Sequence, residues 1–237
     1  MPTTQKLENT EVSNDPLNEF SNAYLIDCIK GMSFFEDNHF DLAVVDPPYG
    51  IGSFWMKQRQ TYRYGIKDWN SYAPGLKYFK ELFRVSKNQI IWGGNYFTKY
   101  LPVTNSWIFW DKGNDVKKMN TSEGEIAWTS FKIPMRSVYI QWSGGRKGKE
   151  TGLKNIHPCQ RPIALHEWIF KEYTKSNQSV LDTHLGSGSS RIAAAKFNLR
   201  FTGFEIDEEY FYAHDKRFKD YRSQLSLLNL MMILNIL

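Results

Sequence analysis

After a polar opening, short apolar runs rich in β-branched and aromatic residues recur along the chain, each closed by Gly, Pro, Asp or Asn. Ala23 to Ile26, Asp41 to Val45, Gln89 to Trp92, Ser106 to Trp110, Ile126 to Phe131, Ser179 to Leu181 and Phe201 to Phe204 are of this kind. Too short for helices and bounded by turn formers, they are predicted strands. Between some of them apolar positions recur at helical spacing. Leu76, Phe79, Leu82 and Phe83 do so within Gly75 to Val85, and Ile163, Leu165, Trp168 and Ile169 within Pro162 to Tyr173; Ser190 to Asn198 is a further helix. Alternating strand and helix predicts an α/β fold whose parallel sheet is covered on both faces. Residues 1 to 20 have no periodicity and are expected to be a flexible arm. Residues 132 to 155 carry six basic residues and four glycines with little periodicity, as an insert rather than framework would.

With 237 residues, 41% of them hydrophobic, the chain has material for one well-buried domain, expected over 21 to 222. A charged fraction of 23% and a mean hydropathy of −0.51 exclude a disordered chain and a polytopic membrane protein. The apolar tail, 223 to 237, ends in the 13 residues Leu225 to Leu237, which include two asparagines and a serine. A membrane span needs roughly 20 apolar residues, so no membrane partner is expected. Laid on a helix, the tail is apolar on nearly every side, which leaves three readings open: docking on the parent domain, pairing with a second copy in a homodimer, or a frayed terminus. Two cysteines, Cys28 and Cys159, support neither a disulfide framework nor a four-ligand zinc site, and no apolar run near the start resembles a secretory signal. A cytoplasmic setting without a metal is the expectation.

Charge is unevenly distributed. Residues 1 to 52 sum to −7, residues 53 to 154 to +11 and residues 155 to 237 to +1. A basic middle third suits a polyanion, nucleic acid first, because each cation that neutralises a phosphate also releases a counterion. In 53 to 72, Lys57, Arg59 and Arg63 are interleaved with Trp55, Tyr62, Tyr64 and Trp69, the pattern of a basic loop that closes over a base.

Two local patterns carry chemistry. Asp182 to Ser189, with Gly186, Ser187 and Gly188, follows an apolar run and leads into Ser190 to Lys196, a good helix former. Strand, glycine-rich turn and helix together let backbone approach a ligand, and Glu205, 17 residues beyond Gly188 at the next strand's end, stands where nucleotide folds hold ribose hydroxyls. Asp46-Pro47-Pro48-Tyr49 follows Leu42 to Val45 and so falls at the carboxyl end of a buried strand. The prolines lock φ and fix the Pro47 carbonyl beside the Asp46 carboxylate, while Tyr49 offers a flat face. Two acceptors and a stacking platform suit an exocyclic amine on a planar base.

These residues resemble the amino-group DNA methyltransferases, which carry Asp-Pro-Pro-Tyr as their catalytic signature and use S-adenosylmethionine. Asp46 to Tyr49 precedes the glycine loop, the order of the permuted beta group, and His157-Pro158-Cys159-Gln160-Arg161-Pro162 is similar to the family's His-Pro-x-Gln-Lys-Pro. Ile91 to Phe97 looks like the strand and turn of phage and prophage members. The resemblance, from about Ala23 to Phe218, implies a circularly permuted Rossmann-like methyltransferase fold with a mainly parallel seven-stranded sheet. It implies that Asp46, Pro47, Pro48 and Tyr49 are catalytic, with Tyr49 stacking on a flipped base. Asp27, Gln160, Arg161, Pro162, Asp182, Gly186, Ser187, Gly188 and Glu205 would surround the cofactor, Asp27 accepting from its adenine amine and Arg161 pairing its methionine carboxylate. Arg161 stands where Lys is usual, and Thr183 and His184 replace the commoner Pro and Phe; His184 is expected to pack or hydrogen-bond. Lys57, Arg59, Arg63, Arg136, Arg146, Lys147 and Lys149 would contact double-stranded DNA, the last four from the target-recognition position at 132 to 155. Adenine N6 is the expected target, with cytosine N4, or a catalytically silent nucleic-acid-binding scaffold, as the alternatives.

Overall fold

The computed structural model describes residues 10–51, 72–113, 122–142 and 146–233, with side chains through residue 224. Nine strands are joined in one sheet: β1 (Val12–Asp15), β2 (Asn18–Leu25), β3 (Leu42–Val45), β4 (Gln89–Trp92), β5 (Trp107–Asp111), β6 (Gly124–Thr129), β7 (Arg136–Tyr139), β8 (Ser179–Asp182) and β9 (Arg200–Glu205). Their spatial order is β1-β2-β9-β8-β3-β4-β6-β5-β7. The centre, β2-β9-β8-β3-β4, is parallel throughout; β6 runs antiparallel to both β4 and β5. Two strands from the end of the chain thus lie between strands from its beginning, which is the permuted arrangement.

Helices cover both faces. On one side lie α1 (Cys28–Met32) and α2 (Leu76–Val85); on the other lie α3 (Ile163–Tyr173), α4 (Ser189–Lys196) and the first part of α5 (Glu208–Ile233). Because successive strand residues point to opposite faces, Leu42 and Val44 join the core with Leu165, Ile169 and Ala193, while Ala43 and Val45 join Met32, Phe79 and Leu82. All four residues of β3, β4 and β8 are buried, as strands covered on both faces must be.

The sheet has nine strands rather than the expected seven. The seven-stranded frame is present as β2 to β5 in spatial order, and the additions are the two edges, β1 and β7. Residues 12 to 20, expected as part of a flexible arm, instead form β1 and open β2. Their hydrophobic pattern misleads because β1 turns Ser13 and Asp15 inward and Val12 outward. Those inward polar groups meet buried arginines. Arg191 is fully buried and donates to the Ser13 hydroxyl at 2.7 Å, the Ser13 carbonyl at 2.8 Å and the Ser21 carbonyl at 3.0 Å. Arg222 on α5 grips Asp15, with Nε 3.0 Å from each carboxylate oxygen. At the other edge, β7 lies inside the expected insert, and only Val138 of its four residues is buried, so no alternation announced it.

Two core histidines make folding pH-dependent. Burial first, and then neighbouring arginines, hold His166 and His214 at about 3, against 6.5 for an ordinary histidine. Both are neutral when folded, whereas the unfolded chain binds protons below about 6.5. Their stabilisation is therefore complete above about 6.5 and is lost as pH falls toward about 3, by ~1.4 kcal/mol per pH unit for each group. We predict that the unfolding temperature drops between about pH 7 and about pH 5, and that His166→Phe flattens this slope. A slope for the variant equal to that of the parent would contradict the assignment.

Candidate active site

The carboxyl ends of the five central strands open into one cavity of about 920 Å³. Asp27 lines it beyond β2, Glu205 at the end of β9, Asp182 to Ser187 after β8, Asp46 to Tyr49 after β3, and Trp92 at the end of β4. Open α/β sheets place ligands at this edge, where crossovers leave in opposite directions. Gln160 and Arg161 also line the cavity, whereas Pro162 and Gly188 stand behind its wall. The structure thereby gathers residues separated by more than a hundred positions in the chain.

The glycine loop follows from backbone requirements. Gly186 and Gly188 have φ of +51° and +70°, in the left-handed region that glycine enters without cost from a Cβ. The turn allows the Gly186 N–H to donate to Glu205 Oε2 at 2.8 Å, while the N–H groups of Ile206 and Asp207 donate to Oε1 at 2.9 Å each. A carboxylate has about four acceptor positions, so one remains on Glu205 for a hydroxyl. Burial raises the Glu205 carboxyl above its ordinary value, and the three amides oppose that shift. Burial pushes Asp182 up to about 7, against hydrogen bonds from the Ser190 hydroxyl and the His184 N–H. His184 packs edge-on against Tyr78 and shares a 2.9 Å hydrogen bond with Thr183, the packing role expected of it; desolvation holds its ring at about 4.

Behind the loop lies a lock that sequence reasoning missed. Arg217 on α5 donates to the Ser187 carbonyl at 2.8 Å, to the Ser189 hydroxyl at 2.9 Å and to Glu150 Oε2 at 3.0 Å. Glu150 in turn accepts from the Ile163 N–H at 2.7 Å, so a buried carboxylate from the expected insert closes the start of α3. Gln160 is buried beside it and accepts from the Ile156 N–H at 3.1 Å. No local pattern marks Glu150 or Arg217, because each finds its partner through the fold.

Three of the expected site residues have structural partners that the sequence did not show. Arg161 does not stand ready for a ligand carboxylate. Its Nε donates to Asp46 Oδ2 at 2.9 Å, its Nη2 to Asp46 Oδ1 at 2.6 Å and to the Tyr49 hydroxyl at 2.8 Å, and its Nη1 to Glu125. Two carboxylates outcompete water for a guanidinium that is 8% exposed. Pro162 is the N-cap of α3, one place before the helical turn it was expected to occupy, since its ψ of 143° is extended. Asp27 caps α1 through a 2.9 Å hydrogen bond from the Lys30 N–H to Oδ1, although it also lines the cavity.

Tyr49 donates to Asp46 Oδ1 at 2.7 Å, and its ring stacks on Tyr96 with centroids 4.7 Å apart. Tyr96 forms no part of the cavity wall among the described residues, so it backs Tyr49 rather than filling the space before it. Cys28 is no nucleophile: burial, then Asp27, push its thiol up to about 12. Among the described residues no group of three or more His, Cys, Asp or Glu side chains could hold a metal ion, and no helix is long and apolar enough to cross a membrane.

The expected DNA contacts divide. Lys57, Arg59 and Arg63 lie outside the described residues. Lys149 and Arg146 are exposed beside the cavity-lining Lys147. Lys147 is turned inward, donating to the Leu153 carbonyl at 2.9 Å and the Asn155 side chain at 2.6 Å while lying over Trp142, and so braces its loop. Arg136 opens β7 beside Ile108, at the end of that strand away from the cavity.

The permuted sheet, the glycine loop, the acidic strand end and Asp-Pro-Pro-Tyr on one cavity define a Rossmann-like methyltransferase. The family model described as DNA methylase matches residues 95–216, just over half of the chain, and the chain belongs to this family of N6-adenine and N4-cytosine DNA methyltransferases. YubD of Escherichia coli (strain K12), described as a methylase, is 27% identical over 205 residues, covering 81% of this chain and 87% of that protein. The type II methyltransferase M2.LlaDCHI of Lactococcus lactis subsp. cremoris is 28% identical over 153 residues, which cover 62% of this chain and 56% of that protein. Among solved structures, the M1.HpyAVI–SAM complex has a TM-score of 0.52 at 19% identity, covering 82% of this chain and 97% of its own. The cytosine-N4-specific PvuII DNA methyltransferase has a TM-score of 0.54 at 15% identity, covering 85% and 91%.

Gly93 tests how tightly the Tyr49 platform is set. It has φ of +65°, and a Cβ there would lie 2.2 Å from the Tyr49 ring. Gly93→Ala should destabilise the fold by ~2 kcal/mol or more and displace Tyr49. Gly148→Ala, at φ of +55° in open space, should show only the backbone cost of ~1 to 2 kcal/mol. Equal denaturant midpoints for the two variants would show that Tyr49 is not held there.

Proposed function

We propose that this chain transfers a methyl group from S-adenosylmethionine to the N6 amine of adenine in double-stranded DNA. The observation that carries the reading is the placement of Asp46 to Tyr49 on the same cavity as the glycine loop and Glu205. The residues suit the cofactor: Glu205 retains one acceptor position for a ribose hydroxyl, Asp27 stands on the neighbouring strand end, and glycines leave room for close approach. Bound there, the cofactor supplies a methyl group on a sulfonium that departs neutral, so little acid or base catalysis is required of the protein.

Positioning and electrostatics remain for the protein. The target base leaves the duplex stack, and Tyr49, backed by Tyr96, presents a flat face to it. Asp46 accepts an N–H of the amine and stabilises the positive charge that develops on nitrogen. Arg161 and the Tyr49 hydroxyl occupy three of about four acceptor positions on Asp46, which leaves one for that N–H. An aspartate at position 46 favours adenine over cytosine N4, for which serine is commoner.

Digesting methylated DNA to nucleosides should yield N6-methyladenine; N4-methylcytosine alone would select the alternative base. Asp46→Asn should lower kcat by about a hundredfold or more while cofactor affinity stays within about twofold. A variant as active as the parent would place the chemistry elsewhere, whereas a parent that binds DNA and methylates nothing would revive the silent-scaffold reading.

DNA affinity should fall steeply with salt, since phosphate contacts dominate. Arg146→Glu with Lys149→Glu should weaken binding and reduce the logarithmic salt slope by about 1 to 2, without changing cofactor affinity. An unchanged slope would remove the insert from the interface.

A further inference from the structure

Glu125 is the second residue of β6, and nothing in its neighbourhood along the chain marks it. In the fold it faces Arg161 across the cavity wall, with one carboxylate oxygen on Arg161 Nη1 and the other 2.5 Å from Lys112 Nζ at the end of β5. Arg161 lies over Trp92 and Trp110, its guanidinium carbon 4.6 and 5.8 Å from the ring centroids. A planar, five-donor cation on an indole shelf, with little water, takes its orientation from the anions around it. Burial opposes ionisation of Glu125, but Arg161 and Lys112 overcome it and hold the carboxyl at about 2. Glu125 is thus an anion at working pH, and Arg161 is shared between two carboxylates.

The sharing matters for Asp46. Glu125 draws on Nη1, leaving Asp46 only the Nε and Nη2 edge. With Lys112 included, the two carboxylates and two cations balance, so Glu125 neutralises the second cation and fixes Arg161 in the orientation that meets Asp46. We infer that Glu125 is a positioning residue for methyl transfer: it anchors Arg161 from β6 and so holds Asp46 with an acceptor free for the target amine. This rests on the function proposed above.

A double-mutant cycle between Glu125→Gln and Arg161→Met tests it, with kcat, KM for DNA, cofactor affinity and unfolding temperature measured for the full chain. Glu125→Gln should lower kcat about ten- to a hundredfold with cofactor affinity unchanged, because the reacting geometry and not binding is disturbed. Glu125→Asp should recover part of that loss. Glu125→Gln should add nothing to the effect of Arg161→Met, since Glu125 acts only through Arg161. If Glu125→Gln alone fails to fold because Lys112 loses its carboxylate, Glu125→Gln combined with Lys112→Met should fold and carry the same loss in kcat. Parental kcat for Glu125→Gln or for its combination with Lys112→Met, or losses that multiply when Glu125→Gln is combined with Arg161→Met, would each overturn the inference. Absence of methylation by the parent protein would instead overturn the reading beneath it.

Discussion

The site depends on the parallel pairing of β8 with β3. These strands come from opposite ends of the chain, and only their adjacency sets Asp182 and the glycine loop beside Asp46. Neither half of the chain holds a site by itself. Residues 18–51 contribute Asp27 and the Asp-Pro-Pro-Tyr turn, while residues 179–207 contribute the loop and Glu205. The central pairings close long loops before any of them is rewarded by burial, which places this fold among the slower ones to form. It also explains why β1 is tied so firmly at the edge: Ser13 and Asp15 link the start of the chain to α4 and α5 through Arg191 and Arg222.

Buried cations are the second recurring device, and they differ in how they are balanced. Arg161 is held between two carboxylates, and Arg217 has Glu150. Arg191 has no direct carboxylate partner among the described residues; two carbonyls, a hydroxyl and His214 receive it, and burial lowers it to about 10. It therefore stays charged at neutral pH and fixes backbone rather than chemistry. The basic character of the chain is thus not a single property: exposed cations of the middle third suit a polyanion, whereas the buried arginines hold the sheet edge and the cavity.

What could be read from the sequence was local. The strands β3, β4 and β8 announced themselves because burial on both faces makes them short, largely apolar runs, and Asp46 and the glycine loop because a turn's chemistry is written in adjacent residues. β1 was hidden because its inward positions are polar, and β7 because its positions are mostly exposed. Arg161 lines the cavity, but its protein partners could not be read from its motif, which says nothing of Glu125, 36 residues away in a strand yet to be placed.

The same contrast decides where specificity in this site resides. Asp46 and Tyr49 lie on one rigid turn, yet neither sets its own orientation: the Tyr49 ring stacks on Tyr96 and leaves no room for a side chain at Gly93, and Asp46 is held by Arg161 on the Trp92 and Trp110 shelf. The supporting groups come from β4, β5, β6 and the segment before α3, so four separate pieces of backbone must be in register before the turn is competent. A shift of a few tenths of an ångström in any of them moves the Asp46 carboxylate and the Tyr49 ring, the acceptor and the platform of the proposed reaction. The four-residue signature names the chemistry, while its precision is distributed over residues that carry no signature at all.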